Sequence, residues 1–112
     1  MKKIEAILQP DKADDVRIAM ENAGHAGITM IDVKGNGKQK GAYKQFRGEK
    51  YKIPVLPKVK IEIVVNDKDV DAAVKIIVDS AWTGNIGDGK IFISTINSAV
   101  KIRTGEQGES II

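Results

Sequence analysis

Residues 59–81 constrain this chain most. Val59, Ile61, Ile63 and Val65 alternate with Lys60, Glu62 and Val64, the period of a strand with one buried face. The period then changes. Val70, Ala73, Val74, Ile77, Val78 and Ala81 recur at helical spacing, with Asp67 as the expected N-cap between strand and helix. Two elements with one apolar face each must stack those faces. The opening of the chain repeats the pattern. Ile4, Ala6 and Leu8 alternate with Glu5, Ile7 and Gln9, Pro10-Asp11 ends the strand, and Ala13, Val16, Ala19, Met20 and Ala23 form a second helical stripe stopped at Gly24. Lys3-Ile4-Glu5 opens the first unit and Lys60-Ile61-Glu62 the second.

Residues 28–33 read as a second strand and residues 90–95 as a fourth, with a short fifth over 99–103. Residues 35–57 are rich in Gly, Lys and Gln, include Pro54 and Pro57, and hold no lasting period. They read as a long loop, about 37–57. The order β-α-β, loop, β-α-β predicts an α+β chain: a ferredoxin-like double βαβ sandwich forming one domain over 1–112. Its helices cover one sheet face. Ile7, Val33 and Val64 fall on the other, so self-association is expected.

With 112 residues the chain can bury a real core, and the absence of cysteine excludes a disulfide scaffold, a thiolate metal site and a cysteine nucleophile. That composition suits a reducing cytosol. His25 is the only histidine, so a Ser-His-Asp triad has little to work with; between a helix end and a strand, it reads as a surface residue. Asp14 and Asp15 read as solvated acids of a first helical turn, Met20 as core and Trp82 as packing or rim. No apolar stretch approaches the roughly 20 residues of a membrane helix, and the start shows no signal-peptide core. Charge is uneven. Residues 34–60 carry nine basic residues against one acid, Glu49, in a chain whose net charge is only +3. Such a segment favours an anionic partner.

Three loops could carry chemistry. Gly35-Asn36-Gly37-Lys38-Gln39-Lys40-Gly41 combines backbone freedom with cations, as an anion site needs. Residues 84–90 spell Gly-Asn-Ile-Gly-Asp-Gly-Lys, the first part of a P-loop pattern. A helix precedes, a strand follows, and Ile91 stands where Ser or Thr belongs, so a Walker-type NTPase is rejected. A backbone cradle with Lys90 as a point charge survives. The third loop is the long basic one, which carries Tyr43, Phe46 and Tyr51 among its lysines, a composition suited to macromolecular contact.

These residues resemble the nitrogen-regulatory P-II signal transduction proteins over the whole chain. The most specific stretch is Thr83-Gly84-Asn85-Ile86-Gly87-Asp88-Gly89-Lys90-Ile91-Phe92-Ile93, which resembles the family's C-terminal signature. Met1-Lys2-Lys3-Ile4-Glu5-Ala6, Val33-Lys34-Gly35 with Gln39-Lys40-Gly41, Leu56-Pro57-Lys58-Val59-Lys60-Ile61-Glu62 and Ile102-Arg103-Thr104-Gly105-Glu106 add to it. The resemblance implies a cytoplasmic, non-enzymatic homotrimer that binds ATP or ADP between subunits and 2-oxoglutarate beside Mg-ATP. Gly87, Asp88, Gly89 and Lys90 would cradle phosphates, with Gly37, Lys38, Lys101 and Arg103 beside them. Thr29, Glu62 and Val64 would line the adenosine end. Gln39 would ligate Mg²⁺, with Lys40, Gly41 and Lys58 around 2-oxoglutarate. The loop would be the output element, with Arg47 reaching a partner such as an ammonium transporter or a nitrogen-assimilation enzyme or regulator. Membrane recruitment would then come through a transporter, not by insertion.

Some positions depart from the family's pattern. Lys101 stands where the family usually has arginine, keeping the charge but losing a bidentate fork. Phe46-Arg47-Gly48-Glu49-Lys50-Tyr51 keeps the tyrosine of the family's modification motif, Tyr51, in an altered setting, which leaves nucleotidylylation there open. Gln9 and Trp82 replace frequent arginines. Two other classes share the fold. A nucleic-acid-binding module would stack bases on sheet aromatics, which the third strand lacks; a phosphatase would need a nucleophile–base pair, and none is visible. An adenylate-only sensor of another pathway is the nearer alternative.

Overall fold

The structure is a computed structural model; it describes residues 1–35 and 55–112 in full, and residues 43–46 and 49–52 in their backbone. The elements are β1 (Lys2–Leu8), α1 (Ala13–Asn22), β2 (Thr29–Gly35), β3 (Tyr43–Phe46), β4 (Glu49–Lys52), β5 (Leu56–Val65), α2 (Val70–Ala81) and β6 (Gly89–Thr95). Four strands form an antiparallel sheet in the order β2-β5-β1-β6. The two central strands, β1 and β5, come from different β-α-β units, so the units interlock. This is the ferredoxin-like double βαβ sandwich that the sequence predicts.

The alternation along β1 and β5 sends Ile4, Ala6, Leu8, Val59, Ile61, Ile63 and Val65 into one core with Val16 and Met20 of α1 and Ala73, Ile77 and Ala81 of α2. Both helices therefore cover the same sheet face. Burying a side chain of the size of Met20 or Ile77 stabilises the fold by roughly 1.5–3 kcal/mol. Val78, expected in the α2 stripe, is exposed instead. α1 ends at Gly24, which takes φ +88°. Gly24 N–H donates to Glu21 and His25 N–H to Met20, a Schellman cap that satisfies two terminal carbonyls.

The opposite face is half-polar. Glu5 and Glu62 lie directly opposite each other on β1 and β5, a like-charge pair that is unfavourable alone. Each has a lysine two residues before it: Lys3–Glu5 at 2.8 Å and Lys60–Glu62 at 3.2 Å. The repeated Lys-Ile-Glu thus builds the same ion pair twice about the sheet centre. The Lys3 ammonium holds the Glu5 carboxyl below its ordinary range, against burial, which pushes it up.

Three sequence expectations are corrected. The stretch read as a loop over 37–57 contains a hairpin, with Tyr43 opposite Lys52 and Phe46 opposite Glu49, and β5 begins at Leu56. Aromatics favour strands, but Tyr43 and Phe46 stand three residues apart, so the sequence shows no period of two there. Pro57 is tolerated because β1 pairs with β5 only from Val59 onward, so Pro57 faces β2 alone. The tail forms no fifth strand; Val100 and Gln107 make one isolated bridge. Asp67 does not cap α2 with its side chain. It starts a single 3₁₀ turn, Asp67–Asp69, and its Oδ1 lies 3.0 Å from the Met1 nitrogen. No helix among the described residues is long and apolar enough to cross a membrane.

Candidate functional site

The turn between α2 and β6 is closed by one carboxylate. Asp88 Oδ2 accepts hydrogen bonds from Thr83 N–H at 2.7 Å and Gly84 N–H at 2.9 Å. Thr83 Oγ1 donates to Asp88 Oδ1 and accepts from Asn85 N–H at 3.2 Å. The Thr83 hydroxyl, with the Thr83 and Gly84 N–H groups and Lys12 nearby, holds the Asp88 carboxyl below its ordinary range, against desolvation. Asp88 is thus ionised at neutral pH, with its charge engaged by the turn. Its side chain is therefore a builder of the turn.

Glycine is required where this turn meets the sheet. Gly84, Gly87 and Gly89 all have positive φ. At Gly89 a Cβ would lie 1.8 Å from the Ile7 carbonyl oxygen, so only glycine lets β6 start against β1. Lys90 follows directly opposite Ile7, on the sheet face away from the helices. Gly87, Asp88, Gly89 and Lys90 therefore form one continuous edge from turn to strand.

Two side chains reach that turn from neighbouring strands. Leu8 ends β1 opposite both Val59 and Gly89, so the next residue, Gln9, stands between β5 and the turn. Gln9 Nε2 donates to the Gly87 carbonyl at 2.8 Å. Lys58 Nζ donates to the same oxygen at 3.4 Å. Lys58 is the one buried charged side chain among the described residues, 9% exposed, and burying an ammonium demands compensating partners. Sequence reasoning placed Lys58 near a ligand carboxylate and missed its link to Gly87. It also gave Gln9 no role; the only signal was its position between a strand end and Pro10.

Thr29, Glu62 and Val64 are brought together on one cavity wall. Thr29 lies directly opposite Glu62 across β2 and β5. All three line a cavity of about 350 Å³ whose other walls include Lys3, Gly27, Ala99 and Ile112. None of Gly87, Asp88, Gly89 and Lys90 lines it. Lys101 and Arg103 lie on an exposed turn closed by Lys101 N–H to Glu106 at 2.8 Å and Gly105 N–H to Lys101 at 2.7 Å. Neither residue lines that cavity. Gly37, Lys38, Gln39, Lys40, Gly41 and Arg47 lie outside the described residues, as does the side chain of Tyr51; its backbone is on β4, opposite Lys44.

The described residues hold no group of three or more His, Cys, Asp or Glu that could bind a metal ion. Gln39, the metal ligand expected from the sequence, lies outside the described residues.

These features define a class: a ferredoxin-like α+β protein with a glycine turn, clasped by its own aspartate, at the edge of an antiparallel sheet. The sequence model of the family described as "Nitrogen regulatory protein P-II" matches residues 1–106, and the chain belongs to that family. It is 54% identical over 112 residues to "Nitrogen regulatory protein P-II 2" of Methanothermobacter thermautotrophicus, covering 100% of this chain and 97% of that one. It is 52% identical over 112 residues to a "Nitrogen regulatory protein P-II" of Rhodobacter capsulatus and to another of a Synechocystis strain, covering 100% of both chains in each case.

Proposed function

We propose that this chain is a sensor of adenylate and 2-oxoglutarate that regulates nitrogen metabolism by binding other proteins. The observation that carries the reading is the Gly87–Lys90 edge, held open by the Asp88 clasp, with the buried Lys58 donating into it. Glycine N–H groups and a lysine suit phosphate oxygens. ATP or ADP binds there, with Gly37, Lys38, Lys101 and Arg103 adding donors, and with the adenosine at Thr29, Glu62 and Val64. The Glu62 carboxylate suits the donors of a base or ribose.

The adenosine cavity and the phosphate edge share no wall within one chain. That favours a nucleotide shared between subunits of a homotrimer. The edge strand β6 supports this. It exposes Phe92 at 54% and Ile93 at 49%, and their succession along a strand puts them on opposite faces.

A dicarboxylate beside a triphosphate is repulsive. Bound Mg²⁺ supplies the charge neutralisation that lets the two sit together. On the protein side, Gln39 orients its amide oxygen, Lys40 and Gly41 offer backbone donors, and the Lys58 ammonium pairs with a carboxylate of 2-oxoglutarate. Occupancy orders the base of the 37–57 segment around Gln39, while ADP leaves that segment to a partner. Arg47 is then the contact residue toward an ammonium transporter or a nitrogen-assimilation enzyme or regulator. The protein works in the cytoplasm. Tyr51 is the candidate for covalent modification.

Sedimentation equilibrium combined with ATP titration tests the shared site. The expected result is a trimer binding one nucleotide per chain. A monomer that binds ATP with the same affinity would overturn it.

A further inference from the structure

We propose that Gln9 is a positioning residue of this site: a second donor to the Gly87 carbonyl that keeps the phosphate turn in place when Lys58 turns to a ligand carboxylate. The inference rests on the proposed role of Lys58 and goes beyond it, since nothing in that role requires Gln9.

The Gly87 carbonyl has two lone pairs. It receives Gln9 Nε2 at 2.8 Å and Lys58 Nζ at 3.4 Å. The amide bond is of ordinary length and the ammonium contact is long, so Gln9 is the firmer of the two tethers. The two donors also respond differently to an anion. An ammonium bonds an ionised carboxylate more strongly than a neutral carbonyl, so a dicarboxylate entering beside Lys58 draws that donor away. Gln9 is uncharged, and an anion pulls on it far less. It lies at the junction of three strands, after Leu8, whose partners are Val59 and Gly89. From there its amide spans to the turn without leaving the sheet edge. Without Gln9, taking up the metabolite would strip a part-buried carbonyl of its donor, and the turn carrying the phosphate donors would loosen.

The arrangement predicts redundancy in the ligand-free turn and its loss when metabolite binds. Gln9→Leu keeps size and removes the donor; Lys58→Met does the same for the ammonium. By calorimetry, each single variant should weaken Mg-ATP binding less than about threefold, and the double variant more than about thirtyfold, well beyond the product of the singles. In Gln9→Leu, 2-oxoglutarate affinity with Mg-ATP present should fall roughly tenfold although Lys58 is intact, with the thermal midpoint unchanged. A purely structural role would move the midpoint and both ligands together. A double variant equal to the product of the singles overturns the proposal, as does a Gln9→Leu protein with unchanged 2-oxoglutarate affinity.

Amide hydrogen exchange of Thr83 and Gly84, whose N–H groups report closure of the turn, gives a ligand-free arm. Exchange should accelerate more in the double variant than the two singles combined. If the unmodified protein binds no 2-oxoglutarate, the proposed function fails, and this arm alone decides whether Gln9 and Lys58 share the tether; additive exchange overturns it.

Discussion

Asp88 Oδ2 lies 2.7 Å from the backbone nitrogen of Thr83, five residues earlier, and this bond closes the turn that carries the candidate phosphate donors. Asp88→Asn keeps the shape but halves the anionic acceptors. Mg-ATP affinity should fall roughly tenfold as the turn loses its pre-organisation; titration calorimetry checks it. The pH dependence follows from the lowered carboxyl. A carboxyl depressed in the folded state stabilises above its unfolded pKa, about 3.9 for aspartate, and that contribution is lost as pH falls through the folded value. Turn closure, read by the Thr83 amide, should be constant from pH 7 to 5 and fail only below about pH 4.

Gly89 and Gly105 separate two costs of replacing glycine. Both have positive φ, but a Cβ at Gly89 meets the Ile7 carbonyl at 1.8 Å, while one at Gly105 meets nothing within 4 Å. Gly105→Ala should cost about 1 kcal/mol, the backbone term alone. Gly89→Ala should cost more than about 4 kcal/mol and detach the start of β6 from β1. Urea denaturation of both variants tests the contrast.

Ile77 is 1% exposed and ties α2 to the sheet. Ile77→Ala should destabilise by about 2–5 kcal/mol, the range for a large-to-small change in a packed core. Val78, at 46% exposure, should tolerate alanine within about 0.5 kcal/mol in the isolated chain. Paired thermal melts give the comparison.

Lys90 follows the glycine turn and lies opposite Ile7. Lys90→Met should weaken ATP roughly 10- to 150-fold, the equivalent of one charge-assisted hydrogen bond. Its fold should be unaffected. Competition with a fluorescent adenine nucleotide reads the affinity.

The parts of the fold that could be read from the sequence share one property: a burial asymmetry that repeats at a fixed period. β1 and β5 alternate strictly, and the α2 residues Ala73, Ile77 and Ala81 keep helical spacing, so their faces could be named. The hairpin β3–β4 has no such period, because Tyr43 and Phe46 are three residues apart and β4 holds the single aromatic Tyr51. Leu56–Lys58 was hidden by Pro57, whose place on β5 depends on where β1 stops pairing. Residues 99–103 show the limit of local pattern. Their apolar alternation is real, but the chain folds back within a few residues, with Lys101 bonded to Glu106.

Of the candidate site, the glycine turn was legible because Gly84, Gly87 and Gly89 with Lys90 exceed what a plain turn needs. The clasp of Thr83 by Asp88 and the tether of Gly87 by Gln9 were not. The clasp is local, but its donors include backbone N–H groups, which residue types do not reveal; the tether depends on the strand register that brings Gln9 to the turn. Thr29 and Glu62 meet for the same reason. Their facing follows from the pairing of β2 with β5, which no local window contains.

The most direct test of the account is calorimetric titration of 2-oxoglutarate into the protein with Mg-ATP, with ADP and with neither. The account predicts binding only with Mg-ATP, lost in Lys58→Met by roughly tenfold or more. Binding of 2-oxoglutarate without nucleotide would contradict the charge-neutralisation step. Binding of ATP and ADP with no 2-oxoglutarate under any condition would make the protein an adenylate-only sensor and remove the roles given to Gln39 and Lys58.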